Sequence, residues 1–156
     1  MTNKDVISTL NDLIQLDVDA VESYEQAIKR IDIPQVSSDL EAFKADHERH
    51  IRDLTQEVRR LGGNPPKRSI DLKGRLLEGF TALRSVTGTE GALKAMHTNE
   101  KTTNKKYEQA LSKGLPTEVE TVVRRNREDE RRHLEYIKMS LSNRVWETGV
   151  GTQPGA

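Results

Sequence analysis

The chain has no cysteine, so disulfides, thiolate metal ligands and cysteine nucleophiles are all excluded. It has no excess of charge of either sign: 25 basic and 25 acidic side chains are interleaved to a net charge of zero. Binding to DNA, RNA or an anionic membrane calls for a basic patch or tail, and none is visible. No apolar run approaches the roughly 18 residues of a membrane span, and no charged-then-apolar leader opens the chain. The cytoplasm is the expected compartment, and no motif for an organic cofactor is present.

What is present is helical periodicity. At 156 residues, with 33% apolar and 32% charged side chains, one helical domain with a modest core is expected. The first segment, residues 5–32, carries Leu10, Leu13, Ile14, Val21, Tyr24, Ile28 and Ile31 on one stripe, and Pro34 ends it. The second opens at the capping-box sequence Ser38-Asp39-Leu40-Glu41 and stops at Gly62-Gly63-Asn64-Pro65-Pro66. The third, residues 90–112, ends before Gly114-Leu115-Pro116. A second capping-box sequence, Thr117-Glu118-Val119-Glu120, opens the fourth, with Val119, Val123, Leu134, Ile137 and Leu141 inward. Short turns make each consecutive pair antiparallel. The connection between the pairs is long and contains its own amphipathic turn, Leu72, Leu76, Phe80 and Leu83, between Gly74 and Gly88. Such a crossover lets the second and third helices run parallel. Residues 1–145 read as an all-α four-helix bundle and residues 146–156 as a flexible tail.

The two halves are related. Sliding the chain over itself by 83 positions, without a gap, places Asp17 on Glu100, Tyr24-Glu25-Gln26-Ala27 on Tyr107-Glu108-Gln109-Ala110, His47 on Glu130 and His50 on His133. Only 9 of 52 overlapping positions are identical, but the carboxylate and imidazole positions coincide in register with the apolar ones. A repeated helix pair with acid and histidine at fixed places is a way to build a metal site inside a bundle.

On helical wheels Asp17 and Glu100 lie at the centres of the first and third stripes. His47 and Glu130 are central on the second and fourth, and His50 and His133 lie at the edge of the same stripes. Asp19, Glu22, Asp46, Glu48 and Asp129 fall off the apolar faces and read as solvated charges. Antiparallel pairing brings the six stripe residues toward one interior layer. An unpaired buried carboxylate costs several kcal/mol or more, so three of them require a partner. A divalent or trivalent ion suits three carboxylates and three imidazoles, with iron, manganese or zinc favoured by these donors.

These residues resemble the ligand pattern of the ferritin-like superfamily, which includes bacterioferritin, rubrerythrin and the di-iron carboxylate enzymes. In that pattern one carboxylate comes from each of two helices and a Glu-x-x-His from each of the other two. Glu100 and Glu130-Arg131-Arg132-His133 match as written, and Asp17 matches with a shorter acid. The motif of the first half departs, reading His47-Glu48-Arg49-His50. More narrowly, Asn11-Asp12-Leu13-Ile14, Asp46-His47-Glu48-Arg49-His50 and Asp129-Glu130-Arg131-Arg132-His133 look like small bacterial ferritin-like proteins of unassigned function, over residues 3–144. The resemblance implies two duplicated antiparallel hairpins joined by the crossover, one or two iron ions, and di-iron-type redox chemistry such as oxidation of Fe(II) by oxygen or peroxide. Asp17, His47 and His50 would hold one ion, and Glu100, Glu130 and His133 the other. Because an imidazole does not bridge as a carboxylate does, His47 leaves Glu130 as the only conventional bridge, which weakens the second position or makes the site mononuclear.

The alternative is a non-catalytic bundle, a stress-related or assembly module, whose acids and imidazoles form a metal-free polar layer. His97, on the apolar face one turn before Glu100, reads as a core or supporting residue. Tyr24 and Tyr107 read as packing residues with a wetted hydroxyl or as hydrogen-bond donors to a carboxylate. Glu25 has Lys29 four residues on, an ordinary helix-surface pair. An exposed helix face could pair two copies into a homodimer, while a storage cage finds no support.

Overall fold

The computed structural model describes residues 1–67, 83 and 85–148. Its described elements are helices only: α1 (Asn3–Ile28), α2 (Pro34–Arg60), α3 (Gly88–Leu111), α4 (Thr117–Ser142) and the short α5 (Val145–Thr148). The expected crossover residues Leu72, Leu76 and Phe80, and residues 149–156 of the expected tail, lie outside the described residues. Leu83 is described and is buried.

Helix starts differ from those the capping sequences suggest. α2 begins not at Ser38 but at Pro34, with Ile33 as the N-cap residue and no side-chain cap. Proline suits the first turn because its missing N–H has no partner there and its φ is preset. α4 likewise starts at Thr117 itself, capped by Pro116 without a side-chain bond. The Glu120 amide donates to the Pro116 carbonyl at 2.8 Å instead. The capping box that does form is at α1: Asp5 N–H donates to Thr2 Oγ1 (3.1 Å) while Thr2 N–H donates to Asp5 Oδ2 (3.0 Å). α2 ends in a Schellman turn, Gly63 N–H bonding Val58 O and Gly62 N–H bonding Arg59 O, both at 2.9 Å. Gly62 takes the left-handed φ of +83° that this turn requires.

Hydrogen bonds at the helix ends set directions. Asn3 Nδ2 donates to Leu61 O (3.0 Å) and Asn11 Nδ2 to Asn64 O (3.1 Å), so the start of α1 lies beside the end of α2. At the other end of α1, Asp32 N–H donates to Thr89 Oγ1 (3.2 Å) in the first turn of α3. Lys113, just past α3, reaches Thr9 Oγ1 at 3.3 Å. α4 runs against α2, because Arg60 pairs with Glu118 (3.1 Å) and Tyr136 Oη donates to Asp39 Oδ2 (2.6 Å). Accordingly α1 opposes both α2 and α3, and α2 and α3 point the same way.

The apolar stripes meet in two separate clusters. One holds Tyr24, Ile31, Leu40, Phe43, Leu93, Met96 and Ile137; the other holds Leu10, Ile14, Leu54, Val58, Tyr107, Val119 and Val123. Between Ile14 in one cluster and Tyr24 in the other stands Asp17, itself buried. A polar layer thus divides the core across the long axis of the bundle.

Candidate metal centre

All six stripe residues lie in that layer. Asp17 comes from α1, His47 and His50 from α2, Glu100 from α3, and Glu130 and His133 from α4; none is more than 1% exposed. Their donor atoms form two groups. Asp17, His47, His50 and Glu130 make one, and His47, Glu100, Glu130 and His133 the other, with the donor atoms of each within 4.8 Å of one another. His47 and Glu130 belong to both.

The positions follow from helix geometry. His47 and His50, like Glu130 and His133, are three residues apart and share one face. Antiparallel packing at the observed ends then brings the midpoints of four long helices to one level. Asn104 Nδ2 fixes that level on one side, donating to the backbone carbonyls of Glu100 (2.8 Å) and Glu130 (2.9 Å).

The surroundings repeat with the sequence. Tyr24 Oη donates to Glu100 Oε1, and its counterpart Tyr107 Oη donates to Asp17 Oδ2 at 2.6 Å. His50 Nε2 donates to Asp129 Oδ2 (2.9 Å) and His133 Nε2 to Asp46 Oδ2 (2.8 Å). Arg49 bonds Asp129 and Arg132 bonds Asp46, so two crossed Asp–Arg pairs cover the rings at the α2–α4 seam. A carboxylate accepting from the outer ring nitrogen fixes the orientation of an imidazole and turns Nδ1 toward the interior, as in carboxylate–histidine–metal arrangements.

Asp46 and Asp129 are therefore not the solvated charges that their wheel positions suggest; each is 17% exposed and reaches a histidine on the neighbouring helix. Asp19 is buried as well, and accepts from Gln15 Nε2 at 3.3 Å. The repeat carried the signal, since Asp46 falls on Asp129 and Arg49 on Arg132 in the same register. Thr103 was also missed: its Oγ1 lies 3.1 Å from Glu100 Oε2 and 3.3 Å from Glu130 Oε2, and donates to one of them at a time. His97 stays outside the layer, half-buried, its pKa lowered by burial and by Lys101 and Lys138.

Electrostatics in the layer are dominated by mutual pairing. Burial works against charge on the rings, but the carboxylates outweigh it. Glu130, Asp17 and Glu100 push His47 up to about 10. Asp17, Asp129 and Glu130 push His50 to about 11. Asp46, Glu100 and Glu130 push His133 to about 10. In the same way burial would raise the carboxyls, yet the rings hold Asp17 below and Glu100 well below the usual range. His133 and Arg132 lower Asp46, and His50 and Arg132 lower Asp129 to about 2, each against its own burial. Burial, together with Glu100 for Tyr24 and Asp17 for Tyr107, keeps both phenols protonated far above 10. Three imidazolium rings and three carboxylates then balance in charge.

Hydrogen bonding does not balance as well. Glu130 Oε1 and His133 Nδ1 are buried and have no hydrogen-bond partner. Each such orphan costs about 1–3 kcal/mol. Glu130 Oε1 faces His47 Nδ1 (3.4 Å) and His50 Nδ1 (3.3 Å), and His133 Nδ1 faces Glu100 Oε1 (3.7 Å) and Glu130 Oε2 (3.6 Å), so an ion bound among these donors would give the orphans a partner. With oxygen and imidazole donors only, the set fits iron, manganese or zinc. The layer can thus hold a metal ion, and no described helix is long and apolar enough to cross a membrane.

No curated protein sequence matches the chain. A family model does match, over residues 5–113. That stretch runs from the first turn of α1 past the end of α3 and includes Asp17, His47, His50 and Glu100, while Glu130 and His133 lie beyond it. By that match the chain belongs to the family described as a domain of unknown function, DUF2383.

Proposed function

We propose that this protein is a ferritin-like metal-binding bundle whose polar layer, Asp17, His47, His50, Glu100, Glu130 and His133, takes up iron or a similar ion. The observation that carries the reading is the pair of buried four-residue donor groups joined through His47 and Glu130. The parallel course of α2 and α3 supports the bundle assignment, because a single long crossover between two antiparallel hairpins produces it. The supports around the rings fit as well: Asp46 and Asp129 hold the outer nitrogens of His133 and His50 and leave Nδ1 inward. An iron ion bound there would supply one-electron redox chemistry toward oxygen or peroxide.

The test is metal content. Protein loaded anaerobically with Fe(II) and desalted is expected to carry at least one ion per chain by elemental analysis. The Glu130→Ala/His133→Ala variant is expected to carry none. A second reading, a metal-free polar layer within a helical assembly module, draws on the charge balance of the layer and on the 2.7 Å bond between His47 and Asp17. Metal-free protein after loading with iron, manganese and zinc in turn would establish that reading instead.

A further inference from the structure

The two halves of the layer are not equivalent, and the difference assigns the ion a side. Under the 83-residue shift, His50 corresponds to His133 and Asp17 to Glu100. His50 Nδ1 is hydrogen-bonded to Asp17 Oδ1 at 3.2 Å, whereas His133 Nδ1 stands 3.7 Å from Glu100 Oε1 and has no hydrogen-bond partner. Asp17 accepts three hydrogen bonds: His47 and His50 donate to Oδ1, and Tyr107 donates to Oδ2. Both rings of the Asp17 half are thus hydrogen-bonded at Nδ1, with Glu130 Oε1 3.3 Å from His50 Nδ1 but unbonded, whereas the ring of the other half, His133, is left open at Nδ1.

His47 decides between them. Its Nδ1 lies 2.7 Å from Asp17 Oδ1, while its Nε2 lies 3.4 Å from Glu100 Oε1. A neutral imidazole has one N–H and one lone pair. In the protonated ring Nε2 donates to Glu100; an ion taking that proton's place would leave the N–H on Nδ1, donated to Asp17, and the Nε2 lone pair toward Glu100. Each of the three histidines then has its own aspartate: Asp17 for His47 at 2.7 Å, Asp129 for His50 at 2.9 Å and Asp46 for His133 at 2.8 Å.

We propose, resting on the metal-binding reading above, that the centre holds one ion, on His47 Nε2, Glu100, Glu130 and His133 Nδ1. Asp17 is then a positioning residue that orients His47, and not a ligand. The shorter acid fits this role, since it meets a ring from the adjacent helix at hydrogen-bond distance without extending further into the layer. The asymmetry enters the layer at two places, Asp17 against Glu100 and His47 against Glu130.

Three measurements on the full chain test the assignment. Fe(II) or Mn(II) titration of the wild type, followed by elemental analysis, is expected to give one ion per chain. Asp17→Asn is expected to keep that one ion with affinity lowered about 10- to 100-fold, the usual effect of losing an orienting partner. Glu100→Gln, which removes the same charge from the opposite half, is expected to retain no ion after desalting. Anomalous scattering from crystals of the loaded wild type, which needs no variant to fold, is expected to place the ion within bonding distance of Glu100 and His133 and beyond it from Asp17. His47→Glu, which makes both halves carboxylate-bearing at that position, is expected to raise the count to two. Two ions in the wild type, an anomalous peak bonded to Asp17, or equal ion loss in Asp17→Asn and Glu100→Gln would overturn the one-sided assignment while leaving metal binding intact. No ion in the wild type would overturn metal binding and the assignment with it.

Discussion

The first hairpin, α1–α2, and the second, α3–α4, supply the same chemistry to the central layer in different states of completion. In the first, Asp17 and both histidines satisfy one another. In the second, Glu130 Oε1 and His133 Nδ1 are left without hydrogen bonds although both are buried. Almost everything outside that contrast is symmetric: the tyrosine bonds, the histidine–aspartate bonds and the Asp–Arg pairs all occur twice with partners exchanged. The layer itself differs at two positions, Asp17 against Glu100 and His47 against Glu130, and the second hairpin adds Thr103 and Asn104 where the first has Ala20 and Val21. Two hairpins that repeat their supports can therefore differ in state through a few side chains at the axis.

The largest effect expected from breaking this comparison is on the metal-free protein. Glu130→Gln leaves three rings facing two carboxylates in a buried layer, and His47→Gln leaves the reverse. Removing one member of a buried charge set typically costs about 3–5 kcal/mol. Urea unfolding with chelator present should show such losses for each single variant. The exchanged pair, His47→Glu with Glu130→His, restores the balance and should lose far less than the sum of its parts; simple additivity would mean the layer is not coupled.

The pH dependence is next. His47, His50 and His133 are pushed up to about 10, 11 and 10, above the ordinary histidine value of 6.5. Raised folded-state values mean the pairing contributes fully below pH 6.5 and is lost as pH climbs through 10–11. Chelated protein should accordingly lose stability on the alkaline side of neutrality. An ion must displace protons from the rings that ligate it, so affinity should run the other way and rise with pH. With His47 and His133 as ligands, two protons leave per ion, which corresponds to about 100-fold tighter binding per pH unit near neutrality. Competition titrations at several pH values measure that slope, and a slope of zero would contradict the protonated rings.

Asp46 and Asp129 sharpen the contrast between halves. Asp46→Asn acts on His133, a ligand in the one-sided assignment, and should weaken ion binding about 10- to 100-fold. Asp129→Asn acts on His50 and should cost clearly less in the same titration. The smallest change belongs to the cover of the seam. Arg132 is more than half exposed, so Arg132→Ala should cost about 1 kcal/mol or less in a denaturant melt.

Much of this architecture was legible in the chain. Four apolar stripes at helical spacing, with Gly and Pro between them, locate four helices because burial of one face is what stabilises a long amphipathic helix. The six layer residues were legible because two halves in register repeat the same polar positions on those stripes. Asp46 and Asp129 were misplaced for a geometrical reason. A wheel measures distance from a helix's own apolar face, whereas these carboxylates bond a ring on the neighbouring helix. The start of α2 was misjudged because Ser38 has capping chemistry but is the fifth residue of a helix already begun at Pro34; α4 does start at Thr117, with Pro116 rather than a threonine hydroxyl at its cap. The real capping box, at Thr2 and Asp5, uses aspartate where glutamate or glutamine is the commoner partner.

Asn104 has a consequence beyond holding two helices together. Both hydrogens of its amide are taken by the main chain of the two acid-bearing residues, so α3 and α4 share a fixed gauge at Glu100 and Glu130. The first hairpin has Val21 at the corresponding position, which offers no such tie. The main-chain spacing of the two glutamates is consequently set by Asn104, and an ion bound there would meet two carboxylates whose anchor points are fixed in advance.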